Sequence, residues 1–261
     1  MDDTNRYSLL MEAYAELQPE IESARGLTPV VANPPLSKVL DGLGAIPPEG
    51  LFMGIASDAL PMLLNLHDAV PGPLLVLGDA GAGKTDLLQI IARAAGITHS
   101  PSTLQFGVLT NHPEEWTGFE RIPNNAGVFP LYADSSQEFL LTLAGWARGG
   151  KSNSQSVLLL LDDLEAATNL DFEARQTLRW LFLRGPARRV WPIVTLNANR
   201  SVNLHPWLEA FRTRIFGSIK DGHLADKLMA NGANLQTLNS NAQFTLREGN
   251  QWLRFWLPGL D

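Results

Sequence analysis

The sequence predicts an α/β domain with a mostly parallel central sheet flanked by helices, preceded by a short N-terminal helical segment. Three observations carry the prediction. Short apolar runs alternate with helical patterns from Leu74 to Ala198. A glycine-dense turn, "GDAGAGKT", joins the first of these runs directly to a helix. Hydrophobic residues make up 45% and charged residues 18% of 261 positions, the composition of a folded chain with a sizeable core.

The elements follow in order. In residues 4–25, Tyr7, Leu10, Tyr14, Leu17 and Ile21 form a heptad-like stripe that predicts a helix, ended or kinked at Pro19. Such a helix packs on its own domain or docks on another subunit. The Pro- and Gly-rich stretch from Gly26 to Gly50 reads as a surface connector. Residues 1–49 are therefore assigned to an N-terminal helix and connector, and residues 50–261 to one domain. "LFMGIASDALPMLLNL" reads as two strands with a turn at Ser57–Asp58. Leu74–Leu77 is a buried strand, and Lys84–Ala95 a helix with Leu87, Leu88, Ile91 and Ala95 on one face. "LQFGVLT" is a strand, and "SSQEFLLTLAGWARGG" a helix capped by Ser135 or Ser136. "VLLLLDD" is a strand. "DFEARQTLRWLFLRG" is a helix that buries Phe172, Leu178, Leu181 and Phe182. "PIVTLNA" and "FRTRIFGSI" are strands, and "QFTLREGNQWLRFWLP" is a hairpin turning at Glu248–Asn250. Near-continuous apolar strands of this kind belong to a parallel sheet covered on both faces.

The turn is chemically specific. Gly78, Asp79, Ala80, Gly81, Ala82, Gly83, Lys84 and Thr85 fit G-x-x-x-x-G-K-[ST] at every fixed position, and Asp86 follows in the first helical turn. Phosphates need several backbone N–H groups pointing inward, and glycines allow that close approach and the φ > 0 turns. The helix that starts here adds its positive dipole end. Lys84 is predicted to reach the β- and γ-phosphates and Thr85 to ligate Mg²⁺. The metal needs a second oxygen donor at the end of a neighbouring buried strand, and Asp162, the first acid after "VLLLL", supplies it. Asp163 or Glu165 would orient or deprotonate water. Asn197, Thr195 or Asn199, near the end of "IVTLNAN", would sense the γ-phosphate. The predicted cofactors are ATP and Mg²⁺. No Asn-Lys-x-Asp motif marks a guanine site, but the base is not otherwise readable.

With these motifs in this order, residues 50–258 resemble the FtsK/HerA-like ATPases, which include the FtsK/SpoIIIE DNA translocases and ATPase modules of type VII secretion systems. "MGIASDALPMLLNL", "RGPARRVWPIVTLNANRSVN" and "FRTRIFGSIKDGHLADKLM" are similar to the family's strand pair, sensor approach and C-terminal segment. The resemblance implies a RecA-like core, a hexameric ring, and an arginine that reaches the neighbouring subunit's nucleotide. Arg214, or Arg212 beside it, occupies the matching position. The chain departs from the family at Asp163, where glutamate is usual, and at "TLNANR", where Thr-Gln-Arg is common.

Two functions follow as expectations. One is a motor-type ATPase acting on double-stranded DNA, with Arg184, Arg188 and Arg189 of "RGPARR" as a candidate contact loop. The other is an ATP-binding regulatory or assembly module with a protein partner and little turnover, docked through the N-terminal helix. A small-molecule kinase is a weaker third reading, because no arginine-rich lid segment is evident. The net charge of −7 argues against a generally basic DNA-binding surface. There are no cysteines, which excludes disulfides and thiolate metal sites. The five histidines lack metal-ligand spacing. No run of eighteen apolar residues and no secretory leader pattern occur, so a cytoplasmic protein without a membrane span is expected.

Overall fold

The structure, a computed structural model, describes residues 33–149 and 155–261. The helix expected over residues 4–25 lies outside them. The described chain opens with a helix, α1 (Leu36–Leu43), followed by a hairpin of β1 (Gly50–Ala56) and β2 (Pro61–Asn65). Next come β3 (Leu74–Gly78), α2 (Lys84–Thr98), β4 (Leu104–Thr110), β5 (Asn125–Pro130) and α3 (Asp134–Arg148). β6 (Ser156–Asp162) leads through the one-turn α4 (Leu164–Ala167) to α5 (Phe172–Arg184) and β7 (Val190–Asn197). The chain closes with α6 (His205–Leu208), β8 (Thr213–Phe216), α7 (Gly222–Lys227), β9 (Gln243–Glu248) and β10 (Gln251–Trp256). Among the described residues no helix is long and apolar enough to cross a membrane.

All ten strands share one sheet in the order β2-β1-β10-β9-β8-β3-β7-β6-β4-β5. From β8 to β5 every neighbour is parallel. β9, β10, β1 and β2 extend the other side with antiparallel pairs. Strand alternation divides the core in two. Leu159 and Leu161 face α3 and α5, together with Leu140, Leu178 and Phe182. Leu158 and Leu160 face the other layer, with Leu87, Leu88 and Ile91 of α2 and Leu36 of α1. Both faces of β6 are therefore covered, which explains its unbroken apolar run. Ligand sites of such sheets lie beyond the C-terminal ends of the parallel strands, where Gly78, Asp162 and Asn197 are found.

Several local expectations need correction. The stretch read as a surface connector contains α1, whose Leu36 and Leu40 are buried. The Leu36 N–H donates to the Gly259 carbonyl at 2.8 Å, and the Gly259 N–H donates to Pro34 at 2.9 Å. The far C-terminus thus anchors this helix, which no local pattern reveals. α3 is not capped by a serine side chain: its N-cap is Ala133, and the Ser136 hydroxyl donates to the Ala133 carbonyl at 2.8 Å. Phe172 is 69% exposed, because Ala174, Thr177, Leu178, Leu181 and Phe182 define the inward face of α5 and Phe172 projects from the opposite one.

β5 was not anticipated. It is a half-buried edge strand containing Gly127 and Pro130, residues that read locally as a turn. Gly107 of β4 has a packing role: a Cβ there would lie 2.3 Å from the Phe139 ring, so the missing side chain lets α3 settle onto the sheet.

Truncation of Leu36 to alanine should cost about 2–4 kcal/mol of unfolding free energy, the range for a fully buried leucine. Urea denaturation measures it, and a change confined to a few tenths would show that α1 is dispensable to the core.

Candidate functional site

β3 delivers the glycine loop to the edge of the sheet, and α2 starts at Lys84 immediately after it. Gly81 (φ 72°) and Gly83 (φ 79°) take the left-handed turns that the loop requires. At Gly83 a Cβ would also meet the Cα of Asn241 at 2.6 Å, so the loop is braced from outside by the segment before β9. The Asp79 side chain turns toward the segment after β8: its Oδ2 accepts from the Lys220 N–H at 2.9 Å, while its own N–H donates to Ser218 at 2.9 Å. Asp79 therefore supports the loop from its rear. Ala80 and Gly81 are exposed at the tip, whereas Ala82 is buried. A cleft of about 460 Å³ opens over Gly81 to Asp86 and is closed by Gln89, Glu115 and Asn241.

Lys84 is half-buried. Its Nζ donates to the Asp79 carbonyl at 2.8 Å, to Asn197 Oδ1 at 2.8 Å and to the Gly78 carbonyl at 3.2 Å. Burial lowers its pKa, opposed by the charges of Asp162, Asp79 and Asp163. The Thr85 hydroxyl donates to Asp162 Oδ2 at 3.0 Å, and Thr195 donates to Asp162 Oδ1 at 2.8 Å. Asp162 is only 8% exposed. Burial raises its pKa; the two hydroxyl donors and Lys84 pull it down, and Asp163 pushes it up. Asp86, at the rim, is also raised, by burial and then by Asp162.

The structure thus brings together Lys84, Thr85, Asp162 and Asn197 from α2, β6 and β7. Parallel register does this: Gly78 pairs with Asn197, and Thr110 pairs with Asp162. Asp163 adjoins them, but its Oδ1 accepts the Glu165 N–H at 3.0 Å as the cap of α4. Glu165 turns outward to Arg200 at 3.3 Å, and both are well exposed. Thr195 lies beneath the acids and Asn199 is exposed.

Arg214 sits elsewhere. It pairs with Leu75, three residues before the end of β3, and donates to the carbonyls of Leu228 (3.2 Å) and Leu208 (3.4 Å). It lines a separate groove of about 690 Å³ with Arg247 and Trp252.

Three cleft residues escaped the sequence reading. Gln89 donates to the Glu115 carbonyl at 2.7 Å and fixes the turn after β4 against α2. Its polar side chain in the buried stripe of α2 was a usable signal. Glu115 and Asn241 had none, because distant parts of the chain bring them in.

The donor set suits Mg²⁺. Among the described residues no three His, Cys, Asp or Glu side chains cluster into a metal cage. Mg²⁺ bound beside phosphates uses one or two protein oxygens and takes the rest from substrate and water. The Thr85 hydroxyl and the Asp162 carboxylate are such a pair.

No protein-family model and no curated protein matches the sequence. Solved structures do match in fold. The Thermomonospora curvata EccC (ATPases 2 and 3) in complex with a signal sequence peptide aligns with a TM-score of 0.66 at 12% identity, over 88% of this chain and 43% of that one. EssC (ATPases 2 and 3) from Geobacillus thermodenitrificans aligns at 0.65 and 13%, over 80% and 44%. The pCW3 conjugation coupling protein TcpA with ATPγS aligns at 0.58 and 12%, over 84% and 68%. This chain therefore spans less than half the length of the EccC and EssC structures. At these identities the likeness is one of fold: the RecA-like, mostly parallel α/β core that the sequence predicts.

Proposed function

We propose that this chain binds ATP with Mg²⁺ and hydrolyses it as a motor-type ATPase acting on double-stranded DNA, assembled as a homo-oligomeric ring. One observation carries the nucleotide part of the reading: Thr85 and Asp162, from α2 and β6, meet at 3.0 Å beside a glycine loop and its lysine; the DNA and the ring are drawn from the resemblance to FtsK/HerA-like ATPases. The backbone amides of Gly81 to Thr85 receive the phosphates. Lys84, whose Nζ donates to Gly78, Asp79 and Asn197, would turn to phosphate oxygens, and Asn197 would be the polar group beside it at the strand end. Thr85 and Asp162 would hold Mg²⁺, which would supply charge neutralisation for the phosphates. Asp163, which adjoins Asp162 in sequence, would be the carboxylate that orients water. For the contact across a ring interface, Arg212 is better suited than Arg214. Arg212 is exposed, while Arg214 already holds two carbonyl groups of its own chain.

A second reading, an ATP-binding assembly module with a protein partner and slow turnover, draws on Asp163. Its side chain is shorter than glutamate and is engaged as a helix cap. The EccC structure that shares this fold holds a peptide.

Turnover of ATP and of GTP, with and without double-stranded DNA, tests both readings alongside molar mass in solution. DNA-stimulated turnover in a ring supports the first; binding by a monomer without turnover supports the second. In the first case Lys84→Ala should lower turnover on the order of 10²-fold or more, the scale of losing a charge-stabilising donor.

The site's electrostatics give a further expectation. A carboxyl whose folded pKa is raised lends stability below its unfolded pKa and loses it as pH rises through the folded one. Asp162 is such a group, because burial disfavours its charge. Asp162→Asn should therefore be more stable than the native chain at pH 7, while losing the magnesium-dependent part of ATP affinity. The stability difference should shrink as pH falls into the carboxylate range. Urea unfolding across that interval decides, and a difference independent of pH refutes the electrostatic account.

A further inference from the structure

Thr195 lies at the point where the two consecutive acids meet β7. Its side chain is 2% exposed. Its hydroxyl makes two hydrogen bonds at once: it donates to Asp162 Oδ1 at 2.8 Å and accepts from the Asp163 N–H at 2.8 Å. Among the side chains able to do both through one short oxygen are Ser and Thr, and Thr adds a stiff, β-branched χ1 suited to a strand. The register makes the contact possible: Leu161 pairs with Val194, so Asp162 and Thr195 stand level at the ends of adjacent parallel strands.

Both bonds bear on the geometry of the acids. Asp162 has two carboxylate oxygens; Thr195 occupies one, and the other faces the Thr85 hydroxyl at 3.0 Å. Without Thr195 the carboxylate keeps only the Thr85 hydroxyl, a single tether that fixes its last torsion less firmly than two. Asp163 has φ 83° and ψ 94°, a backbone conformation that side chains other than glycine seldom adopt. Its N–H is held in that conformation by the same hydroxyl. Two residues further along β7 on the same face, Asn197 Oδ1 accepts from Lys84. One strand face therefore sets both the lysine and the acids.

We propose that Thr195 is a positioning residue that aims Asp162 at the Mg²⁺ of a bound nucleotide and fixes the turn at Asp163, rather than a group that senses the γ-phosphate. This rests on the Mg-ATP reading of the site. Outer groups that orient metal-holding carboxylates typically affect metal affinity by roughly 10- to 100-fold.

The test uses the full chain and a ribose-labelled fluorescent ATP, titrated in Mg²⁺ and again in EDTA. Thr195→Val keeps the shape and removes the hydroxyl. It should lose at least about tenfold of affinity in Mg²⁺ and match the native chain in EDTA. Thr195→Ser should recover most of the magnesium-dependent gain. If Thr195→Val does not fold, Thr195→Ala against Thr195→Ser gives the same comparison.

Thr195→Val with an undiminished magnesium gain overturns the inference. Equal losses in Mg²⁺ and EDTA, or Thr195→Ser behaving like Thr195→Val, overturn it too, since those results mark a purely structural hydroxyl. A native chain with no magnesium-dependent affinity refutes the site reading itself and the inference with it. That outcome is recognised from the native protein alone, before any variant is compared.

Discussion

A lysine ammonium and an aspartate carboxylate, both drawn out of water at the end of one parallel sheet, set the terms for everything around them. Burial works against both charges, lowering the pKa of Lys84 and raising that of Asp162, and outweighs the neighbours that favour them. The nearby oxygens of Gly78, Asp79 and Asn197 and the hydroxyls of Thr85 and Thr195 satisfy the hydrogen-bonding needs of the pair. They do not remove the cost of holding charge there. An anion beside Lys84 and a cation beside Asp162 would. Under the proposed reading, a metal-bound polyphosphate would offset that cost, so part of the free protein's stability is given up for the site.

The side of the sheet from β8 to β2 serves this site indirectly. β8 lies directly beside β3, and the segment that follows β8 supports the glycine loop through Ser218 and Lys220. The segment before β9 lays the Asn241 backbone against Gly83. The loop is therefore braced by chain that arrives long after it in sequence. Its shape depends on the completed fold as well as on its own glycines. This extension also creates the groove around Arg214, where the guanidinium holds the carbonyls at the ends of α6 and α7. An arginine that looks available in sequence is already engaged in joining two short helices to the sheet.

The glycine loop, Lys84, Thr85 and the strand ending in Asp162 were legible because their signals are local. Backbone conformation at Gly81 and Gly83, the apolar run of β6 and the periodicity of α2 are each written within a dozen residues or so. The same locality explains most of the strands and helices. β5 and α1 were missed because their stability comes from elsewhere: β5 from pairing with β4, and α1 from burial against the second core and from Gly259. Phe172 was misplaced because it lies off the stripe formed by Leu178, Leu181 and Phe182, on the opposite side of the helix, and its apolar character alone does not bury it.

What the sequence by itself determined was the chemistry on offer: a glycine-rich turn with a lysine, a hydroxyl and a carboxylate at a strand end, in an α/β frame. What only the tertiary structure decided was which groups meet. Strand order and register place Thr195 under both acids and Asn197 against Lys84, and they leave Glu165 and Arg214 turned to other partners. The reason is physical. Torsional preference and hydrophobic periodicity act over a few residues, whereas the juxtaposition of side chains from separate strands exists only once the sheet has chosen its neighbours.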